Sequence, residues 1–409
     1  MRTAVNNPFT PGSDTVPQIW AGRFEQLKDW EMVVRPRRLS GLAERGRTIL
    51  GQAGLGKSTL VRRIAVAAEE HGDWVTPQLR IPSGADPLKA VAAATLVLAD
   101  KAGLSAAREH RLRALLDRVR TVAAQGVSLT LARRDGPEPY TALTDLLVEV
   151  GMAAVQREHA VLIHIDEVQN ITEGDALSQL LVALGDAATY EHTVVAPGGF
   201  QLRRALPIAV YLTGLPDFAE MAAARKGGTF ARRFATTTLT PIDDADLTMA
   251  LRPFVTGGWE VPDEQGGTSV VRMTPEAADK IVELCCGEPF LFQLAGERAW
   301  YAGTSDVITV DDVVEGWALV YHEAVAHVER ILERLPARER QFVEAMAAMP
   351  AAERTAVNIA RTMGLAEAAQ VGPTAQRLDT IRGIVDRGRP YRFRHRAVEA
   401  YLTSDWPGA

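Results

Sequence analysis

Short apolar runs and amphipathic segments alternate along the first 240 residues of this 409-residue chain. Thr48-Ile49-Leu50, Trp74–Ile81, Ala160–Ile165, Ala209–Leu212 and Ala235–Leu239 read as strands. The run Ala160–Ile165 is almost wholly apolar, as expected of a central strand buried on both faces. Between these runs, residues 24–34, the stretch from Thr59 onward, Pro87–Ala99, Ser105–Ala124 and Thr141–Arg157 carry helical periodicity. Ser105–Ala124 pairs leucines at 112, 115 and 116 with arginines at 111, 113, 118 and 120, one apolar stripe and one basic face. Strands alternating with helices predict an α/β fold with a doubly wound, mostly parallel sheet. From about Asp243 the strand signals fade and helices dominate. From about Leu332 the pattern becomes Arg-rich helices and one hairpin.

These shifts predict four segments. Residues 1–17, with Asn-Pro, Pro-Gly and Val-Pro pairs, form an irregular arm. Residues 18–241 form the α/β domain, 242–330 a helical lid, and 331–409 a small C-terminal domain. In the last, Glu333–Met349 reads as a helix, Thr355–Gly364 as a second and Ala375 to about Arg382 as a third, opened by Gly372-Pro373-Thr374. Ile384–Arg387 and Tyr391–Arg394 then read as two strands around a turn, an order that resembles a winged helix.

Composition narrows the function classes. Apolar residues are 47% and charged residues 23%, enough for real cores. A net charge of −6 argues against a general polyanion binder, so any nucleic-acid surface must be local. The two cysteines, Cys285 and Cys286, are neighbours and read as small buried thiols in a reducing compartment. There is no charged-then-apolar leader and no apolar run near 18 residues, so a cytoplasmic protein without membrane contact is expected.

The chemistry is concentrated in Gly51-Gln52-Ala53-Gly54-Leu55-Gly56-Lys57-Ser58, which fits G-x-x-x-x-G-K-[ST] between a strand end and a helix start. Glycines let backbone N–H groups curl around phosphate oxygens, and the helix N-terminus adds positive potential. Lys57 is positioned to reach the β- and γ-phosphates of ATP or ADP, and Ser58, followed by Thr59, to hold Mg²⁺. A second element, Val161-Leu-Ile-His-Ile-Asp166-Glu167, delivers an acidic pair to a strand end 109 residues after Lys57. Asp166 suits Mg²⁺, and Glu167 suits activation of a water against the γ-phosphate. His164 reads as a core histidine.

Together Gly56-Lys57-Ser58 and Asp166-Glu167 resemble the AAA+ superfamily of P-loop ATPases. Trp20-Ala21-Gly22-Arg23-Phe24-Glu25-Gln26-Leu27 is similar to the "GRE-x-E-L" segment of replication-initiator (origin-recognition) and archaeal-type members, which implies that Gly22 and Arg23 pack against the adenine. The resemblance spans residues from about 20 to 400. It implies a polar sensor at Thr213, although a strand-ending Thr before Gly-Leu-Pro is an equally simple reading. It implies an arginine finger in Phe230-Ala-Arg232-Arg233-Phe234, acting on a neighbour in a homo-oligomer, with the choice between Arg232 and Arg233, or a surface ion pair, left open. In place of the usual lid arginine stands Cys286-Gly287-Glu288-Pro289-Phe290, which looks like the "GxP" element of STAND signalling ATPases and implies a nucleotide contact by Pro289. Arg298, two turns on, is the arginine that would serve in its place. Asp166-Glu167-Val168-Gln169 also resembles the "DE-x-Q" box of transposition-associated ATPases.

Between Arg377 and Arg396 stand seven arginines (Arg377, Arg382, Arg387, Arg389, Arg392, Arg394, Arg396) against two acids, Asp379 and Asp386. A cationic ridge on an acidic chain is what contact with the phosphates of duplex DNA requires. The expected function is therefore a slow ATPase switch coupled to DNA binding or to assembly on DNA. Two alternatives stand beside it. One is a STAND-like regulatory switch whose winged helix makes protein contacts. The other is a transposition or phage-defence accessory ATPase that recruits a protein effector.

Overall fold

The computed structural model describes residues 2–12, 15–103, 110, 114, 139–224, 232–262 and 267–408. The expected helix Ser105–Ala124 lies outside the described residues. The chain forms two compact units. One comprises Phe24–Leu50 and Lys57–Thr237; the other comprises Met1–Arg23, Gly51–Gly56 and Thr238–Ala409.

The first of these units is built on a sheet. Its strands are β1 (Gly46–Leu50), β2 (Trp74–Val75), β3 (Leu79–Arg80), β4 (Val161–Asp166), β7 (Ile208–Gly214) and β8 (Phe234–Thr238), with the hairpin β5 (Glu191–Val195) and β6 (Gln201–Ala205) apart from it. The order is β2-β4-β7-β1-β8, with β3 also beside β4. The β2–β4, β3–β4, β4–β7 and β7–β1 pairs are parallel. Every residue of β1, β4 and β7 is buried, which is why these runs are almost continuously apolar. The outer strand β8 alternates instead.

The expected strand Trp74–Ile81 is two short strands. Pro77 falls between them, and a residue without an N–H cannot continue a ladder. Thr76 uses the gap: its hydroxyl accepts the His164 N–H at 3.3 Å. The pairing Leu50↔Gly214 and Ile165↔Leu212 brings the carboxyl ends of β1, β4 and β7 to one edge, where ligands bind in open parallel sheets.

The other unit is mainly helical but not wholly so. Strands β9 (Trp259–Pro262), β10 (Thr268–Met273) and β11 (Val307–Ile308) form a small sheet, with β9 antiparallel and β11 parallel to β10. The sequence reading missed it because β9 and β10 are short and half exposed. Toward the C-terminus the expected helix Glu333–Met349 is Ala337–Ala347, opened by Pro336, while Glu333 ends a separate helix, Tyr321–Glu333. Helices Ala356–Thr362 and Gly372–Thr380 follow. The antiparallel pair β12 (Val385–Asp386) and β13 (Arg392–Phe393) comes next, and helix Arg396–Thr403 closes the fold. Among the described residues, no helix is long and apolar enough to cross a membrane.

The N-terminal arm is irregular in backbone yet part of this unit's core. Phe9 is 2% exposed, stacks on Phe254 at 5.8 Å and meets the edge of Phe292 at 6.3 Å. Arg2 donates to the Ala299 carbonyl at 2.8 Å and pairs with Asp312 at 3.1 Å. Phe9→Ala should therefore cost about 3–5 kcal/mol of this unit's stability. Chemical denaturation should show an earlier transition, and a loss below about 1 kcal/mol would mean that the arm is not part of the core.

Candidate functional site

Four side chains converge on Asp166, the last residue of β4. Ser58, one residue into helix Lys57–Glu70, donates its hydroxyl to Asp166 Oδ1 at 2.9 Å. The Thr213 hydroxyl, from the adjacent strand β7, donates to the same oxygen. Gln78 Nε2 and Arg80 Nε donate to Oδ2 at 2.7 and 3.1 Å. Burial pushes the Asp166 carboxyl up. The Thr213 hydrogen bond, the nearby His164 and the bonds from Ser58 and Gln78 outweigh it and hold the carboxyl below its ordinary range. Asp166 is thus an anion at neutral pH, ready for a cation. Two oxygens on adjacent corners of a Mg²⁺ octahedron lie about 3 Å apart, so the Ser58 and Asp166 oxygens fit that ion's donor set.

Glu167 follows in a left-handed conformation, φ 54° and ψ 46°, which turns its side chain out to solvent. Its Oε2 accepts from Asn170 Nδ2 at 2.9 Å. Gln169 Oε1 accepts the Leu215 N–H at 3.1 Å, fixing the turn that follows Thr213. His164 is 2% exposed, and burial lowers its pKa to about 4, so it is a neutral core residue. Gln78 and Arg80 were not anticipated. Period-2 reading places them on a strand, but nothing in their spacing identifies the acid they serve.

Gly51–Gly56 belongs to the other unit, and the chain passes from one unit to the other at Gly56–Lys57. The Arg23 guanidinium donates to the Leu55 carbonyl at 3.2 Å and the Thr240 carbonyl at 2.8 Å. Burial lowers its pKa to about 10, still a cation at neutral pH. Gly22, at φ 62°, sets the turn that aims it. Gln52 Nε2 donates to the Arg382 carbonyl at 2.9 Å, and the Gly54 carbonyl accepts the Phe290 N–H at 3.3 Å. Pro289 lies 3.7 Å from where a β carbon on Gly56 would stand.

The segment Gly287-Glu288-Pro289 is itself pinned. Gly287 has φ 83°, and a β carbon there would come within 2.6 Å of the Arg396 guanidinium and 2.7 Å of the Ile242 carbonyl. Only glycine fits. Glu288 is fully buried. Its Oε2 is 3.4 Å from His327 Nε2, and its Oε1 is 3.2 Å from His395 Nε2, the latter an approach not aligned for a hydrogen bond. Burial pushes the Glu288 carboxyl up, but His395, His327 and Arg23 hold it low; burial lowers the His395 pKa against the pull of Glu288. Arg298 faces Glu297 at 3.6 Å and Glu323 at 3.7 Å.

The candidate arginines separate clearly. Arg233 pairs with Asp186 of its own chain, whereas Arg232 is exposed. Of the seven C-terminal arginines, Arg382 is buried against Glu339, which also takes Arg377 at 2.8 Å. Arg394 pairs with Asp379 and Asp386, Arg387 with Asp379 at 3.1 Å, and Arg396 with Asp244 at 2.6 Å. Arg387, Arg389 and Arg392 are exposed, and Phe393 is buried on the opposite face of β13.

No protein-family model matches this sequence, and no curated protein matches it either. Solved structures do match its fold. The ORC2 protein of Aeropyrum pernix, in its ADPNP and ADP complexes, superposes with a TM-score of 0.52 at 17% identity, over 95% of this chain and 93% of that one. A Walker-type ATPase of Pyrococcus abyssi gives 0.54 at 13% identity, over 94% of this chain and 96% of that one. The likeness is one of fold. A parallel sheet with flanking helices and a largely helical region beyond it are the architecture shared with these two proteins.

Proposed function

We propose that this chain binds Mg·ATP on Gly51–Ser58, hydrolyses it slowly, and uses the nucleotide state to govern binding to, or assembly on, DNA. The observation that carries the reading is the convergence of Ser58 and Thr213 on the Asp166 anion at the carboxyl edge of a parallel sheet. The fold shared with a protein solved with ADPNP and ADP supports it. In this mechanism the loop N–H groups and Lys57 neutralise the β- and γ-phosphates. Ser58 and Asp166 hold Mg²⁺, which shields phosphate charge when bound. Thr213 keeps the Asp166 carboxylate oriented. Glu167, steadied by Asn170, takes the proton of the attacking water. Gly22 and Arg23 shape the chain before the loop, and Pro289 borders Gly56 on the nucleotide's lid side.

Two substitutions separate binding from hydrolysis. Lys57→Ala removes a charge-assisted contact and should weaken ATP binding by about 2–3 kcal/mol in calorimetry. Glu167→Gln keeps the shape of the side chain, so ATP should bind as before while turnover drops by roughly 10²–10⁴-fold. A Lys57→Ala chain that binds ATP normally, or a Glu167→Gln chain that turns over normally, ends this assignment.

The trans arginine is assigned to Arg232, because Arg233 already answers Asp186 within its own chain. A guanidinium suits the task, since it stays charged and donates two parallel bonds. ATPase rate per chain should rise with protein concentration, and Arg232→Ala should flatten that rise where Arg233→Ala leaves it. A constant rate per chain across a wide dilution series contradicts the assignment.

The DNA face is narrowed to the turn between β12 and β13. Arg389 and Arg392 are exposed there, and such side chains track phosphates without reading bases. Replacing both with Ala should lower duplex affinity and reduce the salt slope by about two units, with ATP binding unchanged. One set of observations favours the alternative of a regulatory switch with a protein effector: five of the seven arginines are spent in ion pairs, and one of these, Arg382, also accepts from Gln52 at its carbonyl. No DNA retention at low salt by the ATP-bound chain would transfer the conclusion to that alternative.

A further inference from the structure

We infer that His327, on helix Tyr321–Glu333, contacts the phosphates of the bound nucleotide, so that the lid presents an imidazole where an arginine is usual. The inference rests on the phosphate loop being the nucleotide site, and it names a residue that reading leaves out. The geometry comes from the loop. Gly54 has φ 86°, and a β carbon there would stand 2.3 Å from His327 Cε1 and 3.2 Å from each ring nitrogen. The imidazole edge therefore lies directly against the loop backbone, at a position only glycine leaves open.

The ring is fixed from two further sides. Phe290 stacks on it at 5.3 Å with planes 30° apart, while the Phe290 N–H donates to the Gly54 carbonyl. Glu288, fully buried, faces Nε2 at 3.4 Å. A carboxylate at one ring nitrogen holds the ring in place, as in the supporting shells of metal-binding histidines. With Nε2 turned to Glu288, Nδ1 is the nitrogen left for a ligand. A donor at Nδ1 would meet a phosphate oxygen there, with the Glu288 carboxylate behind the ring at Nε2. Arg23 is the other cation near Glu288, and its guanidinium is committed to the Leu55 and Thr240 carbonyls. A packing histidine needs neither a buried carboxylate nor the edge of a phosphate loop.

The test is calorimetric titration of the full chain with Mg·ADP and with Mg·ATP, for wild type, His327→Leu and His327→Gln, alongside melting without nucleotide. Leu fills similar space and donates nothing, so affinity should fall about tenfold or more. Gln restores one N–H donor and should bind within about threefold of wild type. In histidine-ring NMR of the wild type, the signal absent from His327→Gln should shift when Mg·ADP is added. A His327→Leu chain that melts like wild type and binds within twofold overturns the inference while the loop assignment stands. An imidazole signal that does not move overturns it whatever the stability of the Leu variant. A wild type that binds neither nucleotide overturns both.

Discussion

A carboxylate withdrawn from water must be answered by donors or cations, at a cost of several kcal/mol where it is not. Both units of this protein hold such groups, and one in each unit gathers several partners. In the sheet-based unit one is Asp166, met by Thr213, Ser58, Gln78 and Arg80 from three separate stretches of chain. In the helical unit it is Glu288, met by His327 and His395 and by the field of Arg23. Neither group can be satisfied until distant segments have come together. The same requirement that specifies the fold therefore places charge beside the phosphate loop. Gly51–Gly56 and Lys57–Ser58 belong to different units although they are one continuous motif.

Much of this was legible in the sequence because the signals are local. A central strand is a buried apolar run, and β4 and β7 announce themselves so. The run Gly51–Ser58 has a fixed spacing, and the strand before it and the helix after it stand where that spacing puts them. Segments fixed by tertiary context were harder. Strands β9 and β10 are short and half exposed, and although Pro77 marks the break in the expected strand, the bond of His164 to Thr76 beside it depends on tertiary pairing. His327 and His395 lie 39 and 107 residues from Glu288, and no periodicity links a lone histidine to a carboxylate so far away.

The arginine-rich C-terminus shows what a charge count omits. The segment from Arg377 to Arg396 carries a formal excess of five positive charges. Folding returns Glu339 and Asp244 to that neighbourhood from outside the counted window and sets Asp379 and Asp386 against Arg387 and Arg394. Arg382 and Glu339 are both buried, so their pairing serves the core. What remains for an outside partner is a turn of two or three guanidinium groups, a narrower and more local surface than the ridge suggested by the sequence.

The paired thiols have a practical meaning. Cys285 and Cys286 close helix Pro275–Cys285 just ahead of the Gly287 pinch, and burial pushes both up to about 12. The thiolate is the reactive form, so in the folded chain both sulfurs are doubly protected, by exclusion and by protonation. Opening the helical unit removes both protections together and leaves the sheet-based unit, which holds neither cysteine, without a voice in the signal. The chain thus carries its own alkylation tag for one unit alone, in an otherwise thiol-free background.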